Sequence, residues 1–205
     1  MRGYARQAQQ GGRAAMTPQP AARLHRLSDA ALMARVAKGD GPAFAVLLAR
    51  HMGAQLAFAA RVLGHGGQAE EAVQEAFLKV WVKAGRFDPA KAGFGTWLYR
   101  IVLNQCLDAK RRHRREVPLE AANDAPTPGD VEGEVIAASS RQAVARALAA
   151  LPARQRAAIA LCYFEGLSNA EAAAVLEVGV KALESLLSRG RAALKATLGP
   201  FKDDL

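Results

Sequence analysis

Hydrophobic residues recur every three or four positions along most of this chain, which is the spacing of amphipathic helices. The first series, Leu32–Val36, follows a possible capping pair, Ser28–Asp29, and stops at the helix-breaking stretch Gly39–Pro42. A second series, Phe44–Val62, continues to Gly64. The pattern therefore predicts two helices joined by a short turn.

A third helix is predicted from about Gln68 to Ala84, and it carries two different stripes. One is apolar and reads as core: Val73, Phe77, Val80, Trp81 and Ala84. The other is acidic with one apolar member: Glu71, Gln74, Glu75 and Leu78. Its simplest interpretation is a solvated face.

The segment Gly85–Gly95, which contains Asp88–Pro89 and several glycines, predicts a loop. Thr96 can then cap a helix from Trp97 to about Arg112. The chain continues with five cations in six residues, Lys110, Arg111, Arg112, His113, Arg114 and Arg115, the histidine being the neutral member. Cations are favoured at a helix carboxyl end, where the helix dipole is negative.

The second half predicts four more helices. Val144, Ala147, Leu148 and Leu151 form a stripe that Pro152 ends, and Ala158, Ile159 and Cys162 form another that ends at Gly166. Ser168–Glu171 is a capping-box pattern that opens a helix to Leu176. After a turn at Glu177–Val180, a final helix buries Leu183, Leu187, Gly190 and Leu194. This pair of helices predicts a helix-turn-helix.

Charge divides the chain more clearly than any single residue does. Residues 116–140 hold six acids, three prolines and no Lys or Arg, between two basic segments. The predicted fold is all-α, with two small helical domains joined by a flexible acidic linker. The expected boundaries are a disordered basic tail at 1–27, domains at 28–115 and 138–199, a linker at 116–137 and a tail at 200–205.

Composition narrows the possible functions. A net charge of +9 suits a polyanionic partner, either nucleic acid or an anionic membrane. No uninterrupted apolar run approaches a bilayer span and no signal peptide is evident, so we expect a cytoplasmic protein without membrane insertion. Cys106 and Cys162 lack neighbours at metal-ligand spacing, and we expect no cofactor, metal or catalytic site.

Two helices could contact DNA. The final helix presents Lys181, Glu184, Ser188, Arg191 and Lys195 along one outward face, with Ser185 and Arg189 beside it. The earlier helix joins Trp97 and Asn104, two turns apart on one side, to its cationic end. Each has an ordinary alternative, namely a bundle helix in the first case and a core tryptophan with a solvated asparagine in the second.

Four segments occur in a characteristic order: QAEEAVQEAFLKVW, FGTWLYRIVLNQCLDAKRR, LPARQRAAIALCYFEGLSNAEAAAVLEV and ALESLLSRGRAAL. Together they resemble an extracytoplasmic-function (ECF) sigma factor of the sigma-70 family, over residues 28–116 and 138–198. The resemblance implies a non-enzymatic subunit that binds core RNA polymerase and directs initiation at specific promoters. It also implies a stress response and inhibition by an anti-sigma factor.

The resemblance assigns three surfaces. Docking on the clamp helices of the polymerase β′ subunit is implied for Glu70, Glu71, Gln74, Glu75 and Leu78. Melting and capture of a flipped base of the −10 element, with phosphate contacts, are implied for Phe87, Lys91, Trp97, Arg100, Asn104, Lys110, Arg111, Arg112, Arg114 and Arg115. Reading of the −35 element is implied for Lys181, Glu184, Ser185, Ser188, Arg189, Arg191 and Lys195. Glu184 and Leu186 depart from the basic or polar residues that many members carry there.

Other classes of protein explain fewer of these sequence features. A sigma-like decoy that binds an anti-sigma protein without touching DNA needs no basic clusters, yet the chain has one at Lys110–Arg115. A one-component repressor would explain the helix-turn-helix but leaves Glu70–Lys83 and the Trp97–Asn104 helix without a role. An enzyme would need convergent catalytic groups, which the sequence does not display.

Overall fold

The computed structural model describes residues 23–64, 66–116 and 135–199, and all the regular structure in these ranges is helical. The predicted all-α fold is therefore confirmed. Most of the expected basic tail, nearly all of the acidic linker and the carboxyl-terminal tail lie outside the described residues.

The first helical unit contains four helices. Ser28 caps the first of them, because its hydroxyl accepts a hydrogen bond from the Ala31 amide, and Asp40 caps the second through the Ala43 amide. Gly64, with a φ of 85°, ends the second helix in the left-handed conformation that glycine adopts without strain. The helices are α1 (Asp29–Val36), α2 (Gly41–Leu63), α3 (Gly66–Val82) and α4 (Phe94–Glu116), with a 3-10 turn at Ala84–Arg86.

Helix α2 lies at the centre of this unit and packs against α1, α3 and α4. By length and composition alone it could cross a bilayer, although polar residues such as Arg50 and Gln55 interrupt its apolar sequence. A core helix passes the same test, and Leu47, Phe58 and Val62 are fully buried against the other helices. Its apolar face is therefore used in the core.

The second helical unit contains α5 (Val135–Ala150), α6 (Ala153–Ile159), a π-helical turn (Ala160–Phe164), α7 (Asn169–Leu176) and α8 (Val180–Leu198). The predicted capping box is confirmed. The Ser168 hydroxyl accepts from the Glu171 amide, while the Glu171 carboxylate accepts from the Ser168 amide at 2.9 Å. The Ser168 hydroxyl also donates to the Glu171 carboxylate at 2.6 Å, and this bond, followed by the one from the Ser168 amide, lowers the pKa of Glu171.

Helices α7 and α8 form the predicted helix-turn-helix. In the turn, Glu177 occupies the left-handed position, with a φ of 54°. Gly179 has extended backbone immediately before α8. As predicted, Leu183, Leu187 and Gly190 of α8 are buried, and Leu194 packs against the core.

The two units pack directly against each other. Helix α7 lies on α4, and α2 contacts α5, α6 and the π-helical turn. Their buried residues form one continuous hydrophobic cluster. The sequence had left the relative placement of the two units open.

Four local expectations were wrong. Leu24, assigned to the tail, is buried in the core, whereas Trp81 and Val144, assigned to apolar stripes, are exposed. Trp81 rests its ring on Phe44 and leaves 38% of its surface open. Helix α4 begins at Phe94, before the expected cap at Thr96, because burial of Phe94 anchors its first turn.

Gly53 and Gly190 offer a matched test of the packing between α6 and α8. A Cβ at Gly53 would meet open space, whereas one at Gly190 would lie 3.1 Å from Ile159 Cγ1. Gly53→Ala should raise the free energy of unfolding by ~0.5–1 kcal/mol, because alanine suits a helix interior better. Gly190→Ala should lower it by about 1 kcal/mol through overpacking. Urea unfolding measures both, and equal stabilisation by the two changes would contradict the packing described.

Candidate functional site

An aromatic cluster stands where the loop after the 3-10 turn joins α4. The rings of Phe87 and Trp97 have centroids 5.4 Å apart, and Phe94 lies 5.9 Å from Phe87 and 6.1 Å from Trp97. His51 packs edge-on against Phe94 at 5.0 Å. Phe94 is buried, so it attaches the cluster to the core while Trp97 remains partly exposed.

The loop itself is held by Asp88. Its carboxylate accepts a hydrogen bond from the Ala90 amide at 3.0 Å and pairs with Lys91 Nζ at 3.5 Å. The loop and α4 border an open-sided cavity of about 300 Å³, which one residue of α7, Ala174, also lines. The other lining residues are Arg86, Asp88, Lys91, Ala92, Thr96, Trp97 and Arg100. Three sequence-predicted residues, Lys91, Trp97 and Arg100, therefore meet at one cavity.

Asn104 and Phe87 lie outside this lining. Asn104 is exposed two turns beyond Trp97, about 10 Å along the helix axis. Phe87 is half-buried against Trp97, so its position suits support of the tryptophan ring. Arg100 is already engaged, because its guanidinium pairs with Glu177 of the second unit.

The cationic end of α4 is continuous with the rest of the helix, which extends to Glu116. Arg111 pairs with Asp108 at 3.2 Å, and Arg112 lies 4.0 Å from Glu71 of α3. Lys110 and Arg111 also line a second cavity, of about 460 Å³, between the two units. The side chains of Arg114 and Arg115 lie outside the described residues.

The outer face of α3 combines acidic and apolar residues, as predicted from the sequence. Glu70, Glu71, Gln74 and Glu75 are exposed, and Leu78 is 59% exposed. Val82, at 79%, extends this stripe by one turn, and Trp81 borders it. The spacing of four residues from Leu78 could have identified Val82, which sequence reasoning missed.

Helix α8 presents all seven of its predicted polar residues to solvent: Lys181, Glu184, Ser185, Ser188, Arg189, Arg191 and Lys195. Leu186 is partly buried against the core, so it does not belong to the outward face. Tyr163, exposed beside this face, lies with its hydroxyl 3.4 Å from Arg191 Nη1 and was not identified from the sequence.

Two buried groups of α4 have shifted protonation equilibria. Burial raises the pKa of Cys106 to about 12, so this thiol stays protonated inside the first unit. Burial, followed by the nearby Glu165 carboxylate, raises the pKa of Tyr99. Among the described residues, no group of three or more His, Cys, Asp and Glu side chains is placed to hold a metal ion.

Family models match both helical units. A model described as Sigma-70 region 2 matches residues 47–116, and one described as Sigma-70, region 4 matches residues 141–194. The first contains α3 and α4, and the second contains the helix-turn-helix. The matches thus coincide with the surfaces described above.

Named relatives agree with these matches. The RNA polymerase sigma factor CnrH of Cupriavidus metallidurans is 37% identical over 185 residues, which cover 83% of this chain and 94% of CnrH. The ECF RNA polymerase sigma factor SigM of Mycobacterium tuberculosis is 38% identical over 176 residues, covering 85% of this chain and 87% of SigM.

Two solved structures are also similar. The structure of CnrH in complex with the cytosolic domain of CnrY has a TM-score of 0.63 and 36% identity, covering 84% of this chain and 97% of that one. The sigma factor RpoE in complex with the anti-sigma factor NepR, from Bartonella quintana, has a TM-score of 0.60 and 28% identity, covering 76% and 96%.

The chain belongs to the sigma-70 family and is a sigma factor of the ECF type. The family predicted from the four ordered motifs is thereby confirmed, and with it a role in transcription initiation.

Proposed function

We propose that this chain binds core RNA polymerase in the cytoplasm and directs initiation at a defined set of promoters, without catalysing a reaction itself. The observation that carries this proposal is the composition of α4. One continuous helix holds a partly exposed tryptophan beside a cavity, an exposed amide two turns on, and a cationic end. These are the groups that melting and holding a DNA strand require.

We assign docking on the polymerase to the outer face of α3. Its apolar centre, Leu78 and Val82, can desolvate against a partner helix, and Glu71 and Glu75 can pair with cations around it. The β′ clamp helices are the partner that the family implies. Gln74 and Glu70 lie on the same exposed surface and complete it.

We assign capture of the −10 element to the cavity beside Trp97. A flipped base loses stacking worth a few kcal/mol, which an aromatic ring and a shaped pocket offset. Lys91 and Arg100 border the cavity and can attract the strand, while Phe87 supports the ring. Asn104 stands further along α4, where it can bond to a neighbouring base.

The cationic end of α4 and the outward face of α8 supply the remaining DNA contacts. Lys110, Arg111 and Arg112, followed in sequence by Arg114 and Arg115, suit backbone phosphates near the −10 element. Helix α8 suits the major groove at the −35 element, where its amino-terminal residues would face base edges. Glu184 there can accept from a cytosine amino group, which gives this departure a possible role in base selection.

An anti-sigma factor is the further partner we assign to this chain, in a stress response. The support is the likeness to CnrH and to the Bartonella quintana sigma factor, whose solved structures contain CnrY and the anti-sigma factor NepR, respectively.

Glu75 allows a clean test of docking, because Glu71 also lies near Arg112 and its loss would affect two surfaces. Glu75→Lys should weaken binding to purified core polymerase about tenfold, by placing a cation where the partner is expected to be basic. Fluorescence anisotropy with labelled sigma factor measures the dissociation constant. Glu184→Lys makes the same charge change on α8 and should leave it unaltered. Equal affinity of the two variants would contradict the docking surface.

Arg111 and Arg112 allow a test of phosphate contact. Replacing both by Ala should reduce the salt dependence of promoter binding by the holoenzyme, lowering the log–log slope by about 1.5 for two lost contacts. Titrations at several KCl concentrations measure that slope. Lys38→Ala removes an exposed cation in the turn after α1 and serves as the control. A slope as steep as that of the unchanged protein would remove Arg111 and Arg112 from the DNA interface.

A further inference from the structure

The contact between the two helical units includes buried polar groups beside its apolar packing. Glu165, just after the π-helical turn, has a side chain only 8% exposed. Both of its oxygens are used across the interface. Arg61 of α2 donates to Oε1 at 2.8 Å, and the Tyr99 hydroxyl of α4 donates to Oε2 at 2.7 Å. We call Arg61, Tyr99 and Glu165 the latch.

Neighbouring groups reinforce the latch. The Arg61 guanidinium lies 4.6 Å from the centre of the Phe164 ring, a cation–π contact across the same interface. Arg156, 2% exposed, donates to the Val62 carbonyl of α2 at 3.0 Å as well as to carbonyls of its own unit.

The physics of a buried ion pair makes such a contact reversible. Desolvation of Glu165 offsets much of its attraction to Arg61, so the intact pair adds little net stability. Loss or reversal of one partner leaves the other charge buried and unpaired, which strongly disfavours the packed arrangement. The latch therefore selects one packed arrangement of the two units and still allows a modest competing interaction to open it.

The closed arrangement engages the residues assigned to −10 capture. Helix α7 lies on α4, and its Ala174 forms one wall of the cavity beside Trp97. Glu177, in its left-handed conformation, pairs with Arg100. A DNA strand approaching this cavity would meet α7, and Arg100 would have to exchange Glu177 for the strand.

We propose that the latch of Arg61, Tyr99 and Glu165 holds the free sigma factor in a closed form in which α7 of the second unit flanks the −10 cavity and Glu177 occupies Arg100. Capture of a DNA strand then requires the latch to open. The occlusion rests on the proposed function of α4, whereas the latch itself does not. The apparent affinity of the closed protein for a strand is reduced by the fraction of molecules that are open.

The distance between the units tests the latch in the full chain. Donor and acceptor dyes are attached to cysteines introduced at Lys38 and Lys195, both exposed, with Cys162→Ser; Cys106 is buried. Single-molecule energy transfer should show one population in the otherwise unchanged protein. Arg61→Glu and Glu165→Arg should each shift molecules to a lower efficiency. The double reversal should restore the original population, and Glu184→Arg should leave the energy transfer unaltered.

Strand binding tests the occlusion. The probe is a fluorescent 12-nucleotide single-stranded DNA pool of random sequence. Arg61→Glu should bind it at least fivefold more tightly than the unchanged protein, within the range of coupling between sites, although the substitution removes positive charge. Adding Lys91→Ala should reduce that gain. The double reversal, which leaves the net charge unchanged, should return affinity to the original value.

Each outcome decides a part of the proposal. Unaltered energy transfer in both single variants, with native circular dichroism, would overturn the latch. Separation of the units without tighter strand binding would overturn the occlusion. If the single variants unfold, the folded double reversal decides, because failure to recover the closed population would exclude the pairing. Correct energy transfer in a protein that supports no transcription with core polymerase would instead count against the proposed function alone.

Discussion

The burial of one side of α4 is the constraint on which the rest of this structure depends. The core of the first unit buries four residues of this side: Leu98, Val102, Leu103 and Cys106. Because each residue turns the helix by a fixed angle, this burial determines where every other side chain of α4 points. Trp97 is held at the edge of the aromatic cluster, and Asn104 and Arg111 are turned to solvent. Rotating the helix would bury cations and expose leucines.

That same helix is in contact with both units, since α3 packs on one side of it and α7 on another. The surfaces assigned to polymerase and to DNA therefore differ in how accessible they are to a partner. The outer faces of α3 and α8 are open in this arrangement, while Arg100 is paired with Glu177. Burial of Glu165 and Arg156 between the units gives the contact directional hydrogen bonds in addition to apolar packing.

Local features were predictable from the sequence. The capping box at Ser168–Glu171, the buried positions of α8 and the exposed stripe of α3 all follow from short-range spacing.

The wrong predictions concern residues whose burial depends on parts of the chain that are distant in sequence. Trp81 falls on an apolar stripe, but only the position of Phe44 determines how much of its ring is covered. Leu24 belongs to a polar, arginine-rich stretch, and its burial depends on the core it meets. Glu165 reads as an ordinary loop acid because its partners, Arg61 and Tyr99, are 104 and 66 residues away.

Reconstituted transcription tests most directly whether this chain confers promoter specificity on RNA polymerase. Core polymerase purified free of sigma factors would be incubated with genomic promoter fragments, with and without the chain, and transcript 5′ ends mapped. We predict discrete start sites that appear only when the chain is present and share sequence elements near −10 and −35. Binding of the chain to core polymerase without any new start site, across a full genomic library, would contradict it.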